Sequence, residues 1–295
     1  MLKRVLNGLG IAAVLLVLFL YGNVWVLTGL AVLVYVMALD EFRRLASSGG
    51  LPSESWALPL CGVAYMLAVA TESPYFQASG YPFPRRVPPA TSMILCLAPL
   101  LMLSIGVFRR RTDQALERFA VSVAAFWYTG VFPSFLLRTV LAWDSLAVGR
   151  VALVYSLVVI KMSDAGAYFV GTRFGRHGPP LIPSISPAKS VIGLLGGYAF
   201  GFASSLLFAL GADKLGGGAI RGFRIPYVHA AVLGVLLPTV GCVGDLAESL
   251  IKRSVRVKDS ASRVPGLGGL LDMLDSPIFA APVFYLYALR YLGAS

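Results

Sequence analysis

Charged residues are scarce in this chain of 295 residues, and their scarcity excludes a soluble globular protein. Asp, Glu, Lys and Arg make up only 13% of the sequence, whereas soluble domains carry about a quarter. Hydrophobic residues reach 57%. Such a composition is typical of a chain that lies in a lipid bilayer, so the sequence predicts an all-α, polytopic integral membrane protein.

Cysteine and histidine are also rare, and their positions exclude a metal site built from them. The three cysteines, Cys61, Cys96 and Cys242, lie singly in apolar runs without metal-binding spacing, so we expect small, buried apolar residues there. His177 and His229 are isolated, and each is predicted to be a polar interface residue. No internal repeat, coiled coil or low-complexity tract is present in the sequence.

Long apolar runs divide the chain into nine predicted transmembrane helices, each able to cross about 30 Å of hydrocarbon. The first run follows Lys3 and Arg4 as in a signal peptide, but no cleavage site follows it, so it is predicted to be a span. The predicted spans are 5–21, 23–42, 56–71, 90–108, 119–141, 150–171, 190–211, 226–251 and 276–293. We expect residues 1–150 to form an N-terminal transmembrane region, and 151–295 to carry the chemistry.

Basic residues in the loops predict the orientation of these spans. With the N-terminus in the cytoplasm, loops on that side hold about twice as many Lys and Arg residues as the outer loops, as the positive-inside rule requires. The loops at 43–55, 109–118, 172–189 and 252–275 are therefore expected at the cytoplasmic face. The net charge of +11 is spread over membrane-flanking loops, which favours anionic lipid headgroups over nucleic acid as partners.

Two ionisable residues interrupt the apolar span at 150–171. Lys161 and Asp164 are spaced i, i+3 and share a helix face, so they can pair. Ionisable groups cost about 2.5–3.5 kcal/mol each at the centre of a membrane, and they usually face a cavity or a partner. Both a structural ion pair and a functional site fit this pattern. Close helix contact, or approach of a ligand, is favoured by the glycines that follow, Gly166, Gly171 and Gly175.

The segment SPAKS, at 186–190, stands immediately before the next span. A serine ahead of a helix can cap it, and the free N–H groups of the first helical turn attract anions. Lys189 and Ser186, with Arg173 in the preceding loop, therefore form a predicted phosphate-binding region. A capped helix entrance with a snorkelling lysine would have the same sequence, so both interpretations stay open.

Four carboxylates, in two pairs, lie at the boundaries of the last two spans. Asp245 and Glu248 are about one helical turn apart, as are Asp272 and Asp275, so each pair can face one way. A glycine-rich loop at 266–269 lies between the pairs and can approach a ligand with bare backbone. Carboxylates near Lys and Arg suit a divalent cation, Mg²⁺ above all, together with a polyphosphate. A solvated run of charges is the alternative interpretation.

The same residues resemble a known motif. The stretch 249–275 is similar to the C-terminal motif S-x-x-K-R-x-x-x-x-K-D, G-H-G-G and D-R-x-D of the phosphatidate cytidylyltransferases, also called CDP-diglyceride synthases. The matching residues are Ser249, Lys252, Arg253, Lys258, Asp259, Gly266, Gly268, Gly269, Asp272 and Asp275. Two further segments, 163–175 and 186–190, look like other patches of that family. The resemblance covers the whole chain and is sharpest over 163–276.

Three positions depart from the family pattern. Leu267 stands where the family has His, Met273 where it has Arg, and Ile192 where an acidic residue follows the SPAKS-type segment. These losses remove groups that could bind phosphate, position a substrate or move a proton. The resemblance therefore implies either a divergent active enzyme or a relative whose activity is weakened, altered or lost.

The resemblance implies that CTP and phosphatidate react to give CDP-diacylglycerol and diphosphate, in the inner membrane with the active site facing the cytoplasm. It implies Mg²⁺ as cofactor, held by Asp245, Asp272 and Asp275, with Asp164 as a further candidate. The implied catalytic residues are Lys252, Arg253, Lys258 and Asp259. The implied substrate-binding residues are Lys189, Ser186, Arg173, Gly268 and Gly269.

The partners implied in this way are CTP, phosphatidate and membrane lipids, without nucleic acid, and a homodimer is left open. Two alternatives stay open for the function. One is a non-catalytic membrane relative, or one of altered substrate, that binds lipid or nucleotide. The other is a transporter, because ionisable residues and glycine-rich spans also mark transport paths, although no inverted repeat supports it.

Overall fold

The structure is a computed structural model that describes residues 14–53, 56–78, 89–110, 112–175, 178–214, 219–257 and 269–294. The chain forms two compact units. The first consists of Met1–Leu141 with Lys252–Met273, and the second consists of Ala142–Ile251 with Leu274–Ser295. Each unit therefore combines an early stretch of the chain with a later one.

Helices account for most of the described structure. In the first unit, α1 covers residues 14–21, followed by α2 (Val24–Ser48), α3 (Ala57–Thr71), α4 (Pro74–Ala78), α5 (Ala90–Phe108), α6 (Ala115–Phe126) and α7 (Phe132–Leu141). A π-helical turn, Trp127–Val131, joins α6 to α7. The second unit contains α8 (Leu146–Phe174), α9 (Val191–Lys214), α10 (Ala219–Gly222) and most of α11 (Tyr227–Ser254) and α12 (Leu270–Tyr291). The prediction of a helical membrane protein is confirmed.

Each of the nine predicted spans contains a helix, but fewer of these helices are long and apolar enough to cross a bilayer. Within the described ranges, six satisfy both conditions: α2, α5, α6 continued by α7, α8, α9 and α11. Helix α3 has 15 residues, about 22 Å of length, which is less than the ~30 Å of hydrocarbon. Helix α12 has 22 residues but includes Asp272, Asp275 and Arg290. The count of nine is therefore approximate.

Tyr35 is fully buried where α2 packs against α3 in the first unit. Its hydroxyl donates a hydrogen bond of 2.5 Å to the carbonyl oxygen of Leu58. Gly62, one turn further along α3, makes room for the ring, because a Cβ there would overlap it. Gly130, in the π-helical turn, lies at another edge of the ring, where a Cβ would be 3.1 Å from Cε2. Because Gly62 and Gly130 have no side chains, α2, α3 and the π-helical turn can pack closely around the Tyr35 ring.

A short β-hairpin precedes α9 in the second unit and departs from the all-α expectation. Strand β1 (Pro180–Ile182) pairs antiparallel with β2 (Ser186–Ser190). Prolines within and beside these strands are tolerated because both strands of a two-stranded sheet are edge strands. The sequence at 172–189 predicts a loop, because its prolines mask the weak strand signal. The hairpin places Lys189 on β2, directly before the membrane helix.

Glycines line the contact between α8 and α9. A Cβ at Gly166 would lie 2.7 Å from the carbonyl oxygen of Gly196, and one at Gly171 would lie 3.4 Å from the Cα of Gly193. Small residues let helix backbones approach closely in membranes, where lipid is as apolar as the side chains. The close helix contact predicted from Gly166 and Gly171 is confirmed.

Helix α11 also approaches its neighbours through glycine. A Cβ at Gly201 of α9 would lie 2.5 Å from the ring of Pro238 in α11. A Cβ at Gly241 would lie 3.4 Å from Cβ of Ser276 in α12, and one at Gly244 would overlap the carbonyl oxygen of Asp275. These approaches bring the part of α11 that contains Asp245 close to Asp275 and Ser276 of α12, within the second unit.

Candidate active site

Lys189 and Asp245 form an ion pair that joins β2 to α11. The Nζ of Lys189 lies 2.5 Å from Oδ2 of Asp245, and the two side chains are 25% and 35% exposed. Both side chains are thus partly exposed, although the Nζ atom of Lys189 is itself buried. Sequence reasoning selected both residues for a site but did not predict that they would contact each other.

Lys161 and Asp164 form a second ion pair, on α8. Their Nζ and Oδ2 atoms are 3.2 Å apart, which confirms the pairing predicted from their spacing. The carboxylate of Asp164 also interacts electrostatically with Asp245 and Lys189. The two ion pairs therefore belong to one electrostatic cluster.

Asp275 contributes a third carboxylate to this cluster. It lies in the early part of α12, is 9% exposed, and accepts a 2.5 Å hydrogen bond from the backbone N–H of Ser276 through Oδ1. Its carboxylate interacts electrostatically with Asp245, Lys161 and Asp164. Three carboxylates and two ammonium groups are thus gathered in the second unit, which leaves one net negative charge when all are ionised. We call these five residues the carboxylate–lysine cluster.

The cluster contains carboxylate oxygens of the kind that bind a divalent cation, but two of its carboxylates are paired with lysines. Carboxylate oxygens are the ligands that Mg²⁺ prefers, and a net negative charge favours a cation. In the part of the chain that the structure describes, no three His, Cys, Asp or Glu side chains are already grouped as metal ligands. Lys189 and Lys161 instead contact one oxygen each of Asp245 and Asp164. The residues therefore fit the cation by chemistry, provided that the lysines find another partner.

The fourth predicted metal ligand, Asp272, lies in the first unit. Its Oδ1 accepts a 2.8 Å hydrogen bond from Nζ of Lys252, and the side chains are 33% and 15% exposed. Arg253, the next residue on α11, is exposed. The structure thus brings two residues of the motif, Lys252 and Asp272, into contact, which their spacing in the sequence did not predict.

Glu41 is a buried carboxylate that sequence reasoning missed. It lies on α2, is 3% exposed, and its Oε2 accepts hydrogen bonds of 2.8 Å and 3.4 Å from the backbone N–H groups of Leu270 and Leu271. The signal was available, because Glu41 is an ionisable residue inside the predicted span 23–42, and such residues are costly without a partner.

The remaining predicted residues take varied positions. Arg173 is exposed in the last turn of α8, and Ser186 begins β2, where it pairs with Ile182. Gly269 is buried and directly precedes α12. Lys258, Asp259 and Gly268 lie outside the described residues, as does Leu267.

Two N–H groups at the helix start predicted to cradle phosphate already have acceptors within the chain. Ser190 caps α9, since its Oγ accepts a 3.1 Å hydrogen bond from the N–H of Gly193. The N–H of Val191 donates to the carbonyl oxygen of Pro179 at 3.1 Å. The cap is therefore supplied by Ser190 rather than by Ser186, because β2 continues up to the helix. Lys189 keeps its candidate role through its charge, with little help from these N–H groups.

The chain is similar over most of its length to proteins of known family. A model of the cytidylyltransferase family matches residues 2–291. The chain is 31% identical to a phosphatidate cytidylyltransferase of Bacillus subtilis (strain 168), across 97% of this chain and 96% of the relative. It is 26% identical to one of Synechocystis sp., across 98% and 97%. A third, from Aquifex aeolicus, is 35% identical across 58% of each chain. The chain therefore belongs to the cytidylyltransferase family.

Proposed function

We propose that this protein is a phosphatidate cytidylyltransferase, a membrane enzyme that converts CTP and phosphatidate into CDP-diacylglycerol and diphosphate. The observation that carries the proposal is similarity over nearly the whole chain to relatives of that name. The carboxylate–lysine cluster supports it, because it gathers the charges that a reaction between two phosphates needs.

The reaction brings two anions together. A phosphate oxygen of phosphatidate attacks the α-phosphorus of CTP, a new P–O bond forms, and the bond from the α-phosphorus to the bridging oxygen breaks as diphosphate leaves with the electron pair. The attacking group is already an anion at neutral pH, so the step needs no general base. The protein must instead offset negative charge and hold both substrates in line.

Lys189 and Lys161 are suited to offset that charge. In the described structure each is paired with an aspartate, and each pair is partly exposed. An incoming phosphate offers a lysine an alternative anionic partner, so the ammonium groups can move from carboxylate to phosphate with little net cost. We propose that this exchange frees Asp245 and Asp164 as CTP binds.

The freed carboxylates of Asp245 and Asp164, with Asp275, would hold Mg²⁺. When bound, the cation neutralises phosphate oxygens and stabilises the diphosphate as it leaves. The aspartates themselves then fix where the phosphates can sit, since oxygen ligands set the coordination geometry. Asp272 is proposed as a further ligand on the strength of its motif.

Other residues are proposed for substrate binding on the strength of the motif and their charge. Lys252, Arg253 and Lys258 would hold phosphate oxygens, and Asp259 would orient them within the same motif. The residues proposed to contact substrate elsewhere are Arg173, Ser186, Gly268 and Gly269. We propose that the catalytic region is formed by residues 151–295, and that it lies in the inner membrane and opens to the cytoplasm, where CTP is found. Assembly as a homodimer stays a prediction.

Pyrophosphate release tests the proposal directly. Purified protein in detergent, supplied with CTP, phosphatidate and Mg²⁺, should release diphosphate and form CDP-diacylglycerol. Asp245→Asn should lower the rate by about 100-fold or more, because it removes a negative charge from the cluster while the side chain keeps nearly the same size. Asp213→Asn is the matched control, since Asp213 is exposed and bonded only to the Tyr227 hydroxyl among the contacts described for it. Equal rates for wild type and Asp245→Asn would refute the assignment of the cluster.

A non-catalytic relative is the second candidate, and the departures from the family motif favour it. Ile192 stands where an acidic residue is expected, and its side chain packs beside Gly178 at the start of the hairpin, where a Cβ would lie 2.9 Å from Cδ1. The position is thus filled by apolar packing. Binding of CTP without release of diphosphate, across a wide range of Mg²⁺ concentrations, would support this candidate over the enzyme.

A further inference from the structure

The start of α12 is capped from a distant part of the chain. Glu41 on α2 accepts the N–H groups of Leu270 and Leu271, the first two residues of α12, at 2.8 Å and 3.4 Å. The two partners of the shorter bond are 229 residues apart in sequence. All of these residues belong to the first compact unit.

The sequence at this helix start explains why a distant cap is required. Helices leave their first N–H groups without partners inside the helix, and Ser, Thr, Asp or Asn before the helix normally accepts from them. The residue before α12 is Gly269, which has no side chain to do so. Gly269 is also buried, so water has little access. Glu41 supplies the acceptor that the local sequence lacks.

The charge of Glu41 matches its position. The N-terminus of a helix carries a partial positive charge, which favours a carboxylate there. Burial of a carboxylate is costly unless hydrogen bonds offset it, and Glu41 is only 3% exposed. The two N–H groups and the helix end therefore stabilise Glu41, and Glu41 in turn fixes where α12 begins.

Asp272 lies within the same helical turn as these capped residues. Its Oδ1 is held by Lys252 at 2.8 Å, and it comes one residue after Leu271. If the first turn of α12 began at another residue, or rotated about the helix axis, the Asp272 carboxylate would move with it. The geometry of the Lys252–Asp272 pair thus depends on the cap.

We propose that Glu41 is a positioning residue for the active site, acting through the first turn of α12 on Asp272. The inference rests on the proposed function only in its last step, the role of Asp272 in binding a divalent cation. A purely structural cap would contribute to stability alone. A positioning cap would also set the affinity of the site for the cation.

Glu41→Gln tests the inference because it keeps an acceptor oxygen and removes the charge. Hydrogen exchange followed by mass spectrometry should show faster exchange of the peptide that contains Leu270 and Leu271. Mn²⁺ binding to the purified protein, measured by electron paramagnetic resonance, should weaken roughly tenfold, the usual effect of losing a group that orients a ligand. Asp40→Asn is the control, since Asp40 pairs with Arg44 at 3.2 Å on the same helix, and it should change neither quantity.

A double-mutant cycle identifies the residue through which Glu41 acts. In an Asp272→Asn background, Glu41→Gln should weaken Mn²⁺ binding no further, whereas in an Asp245→Asn background the two effects should add. Unchanged exchange, or unchanged Mn²⁺ affinity, in Glu41→Gln would overturn the inference. If wild type failed to release diphosphate while these binding results held, the proposed function would fall and the positioning role would stand.

Discussion

Lys189 Nζ lies 2.5 Å from Oδ2 of Asp245, so one ion pair ties the β-hairpin to helix α11. Both side chains are partly exposed, and pairs of this kind contribute little to stability, about 0–1 kcal/mol. The Nζ atom of Lys189 is itself buried, but a weak pair between partly exposed side chains can be exchanged for contacts to a charged ligand. The pair is therefore better suited to binding phosphate than to holding the fold.

Lys189→Met should abolish most activity while leaving the protein folded. We expect diphosphate release to fall by about 100-fold, because an ammonium group that faces phosphate is lost. The melting temperature should change little, since the ion pair is partly solvated. Lys189→Arg should retain part of the activity, and Lys214→Met, an exposed lysine at the other end of α9, should retain all of it. Full activity of Lys189→Met would contradict a phosphate-binding role.

Gly244→Ala should destabilise the second unit. A Cβ at this position would overlap the carbonyl oxygen of Asp275 and lie 3.1 Å from Cβ of Phe279, so α11 and α12 would have to separate. Overpacking of this kind costs about 1–3 kcal/mol, more than the ~1 kcal/mol that alanine adds in helix propensity. Gly211→Ala on α9, where a Cβ would meet nothing within 4 Å, serves as the control. Thermal melting in detergent should separate the two variants.

Single cysteines should report the orientation of the spans. In a background without the three native cysteines, Arg173→Cys and Arg253→Cys place thiols at exposed positions predicted to face the cytoplasm. A membrane-impermeant maleimide should label them only after the cells are opened. Lys214→Cys should be labelled in intact cells. The reverse pattern would mean that the orientation predicted from the basic residues is wrong.

Restoring the family residues should improve catalysis if the protein is a divergent active enzyme. Met273 is 40% exposed, so Met273→Arg can be accommodated without burying a charge. We expect Met273→Arg combined with Leu267→His to raise kcat or lower KM for one substrate in the diphosphate-release assay. Met273→Lys in the same background distinguishes a guanidinium contact from added charge alone. No activity in wild type or in the restored variant would favour the non-catalytic relative.

Local sequence patterns predicted the helices well, because hydropathy is a sum over neighbouring residues. The run at 150–171 lies inside α8, and the run at 226–251 differs from the start of α11 by one residue. At 56–71 the same rule located a helix, Ala57–Thr71, but this helix has only 15 residues, so the count of spans is approximate. It also missed the hairpin at 180–190, whose antiparallel ladder depends on pairing between strands rather than on composition.

Spacing along one helix predicted contacts within that helix but not between elements. The Lys161–Asp164 pair follows from an i, i+3 separation. Lys189 and Asp245 were each candidates, yet their contact arises from the hairpin and from the approach of α9 to α11, which no local pattern encodes. Glu41 was missed for the same reason, since its partners are backbone groups far along the chain. A buried ionisable residue in a span indicates that a partner exists without identifying it.

The cap on α12 also constrains how the protein is made. The ribosome adds about 5–20 residues per second, so the 229 residues between Glu41 and Leu270 take roughly 10–50 s to synthesise. Throughout that interval the N–H groups that donate to Glu41 do not yet exist. A chain that stops short of α12 lacks both donors, so the Glu41 carboxylate is left without the hydrogen bonds that offset its burial.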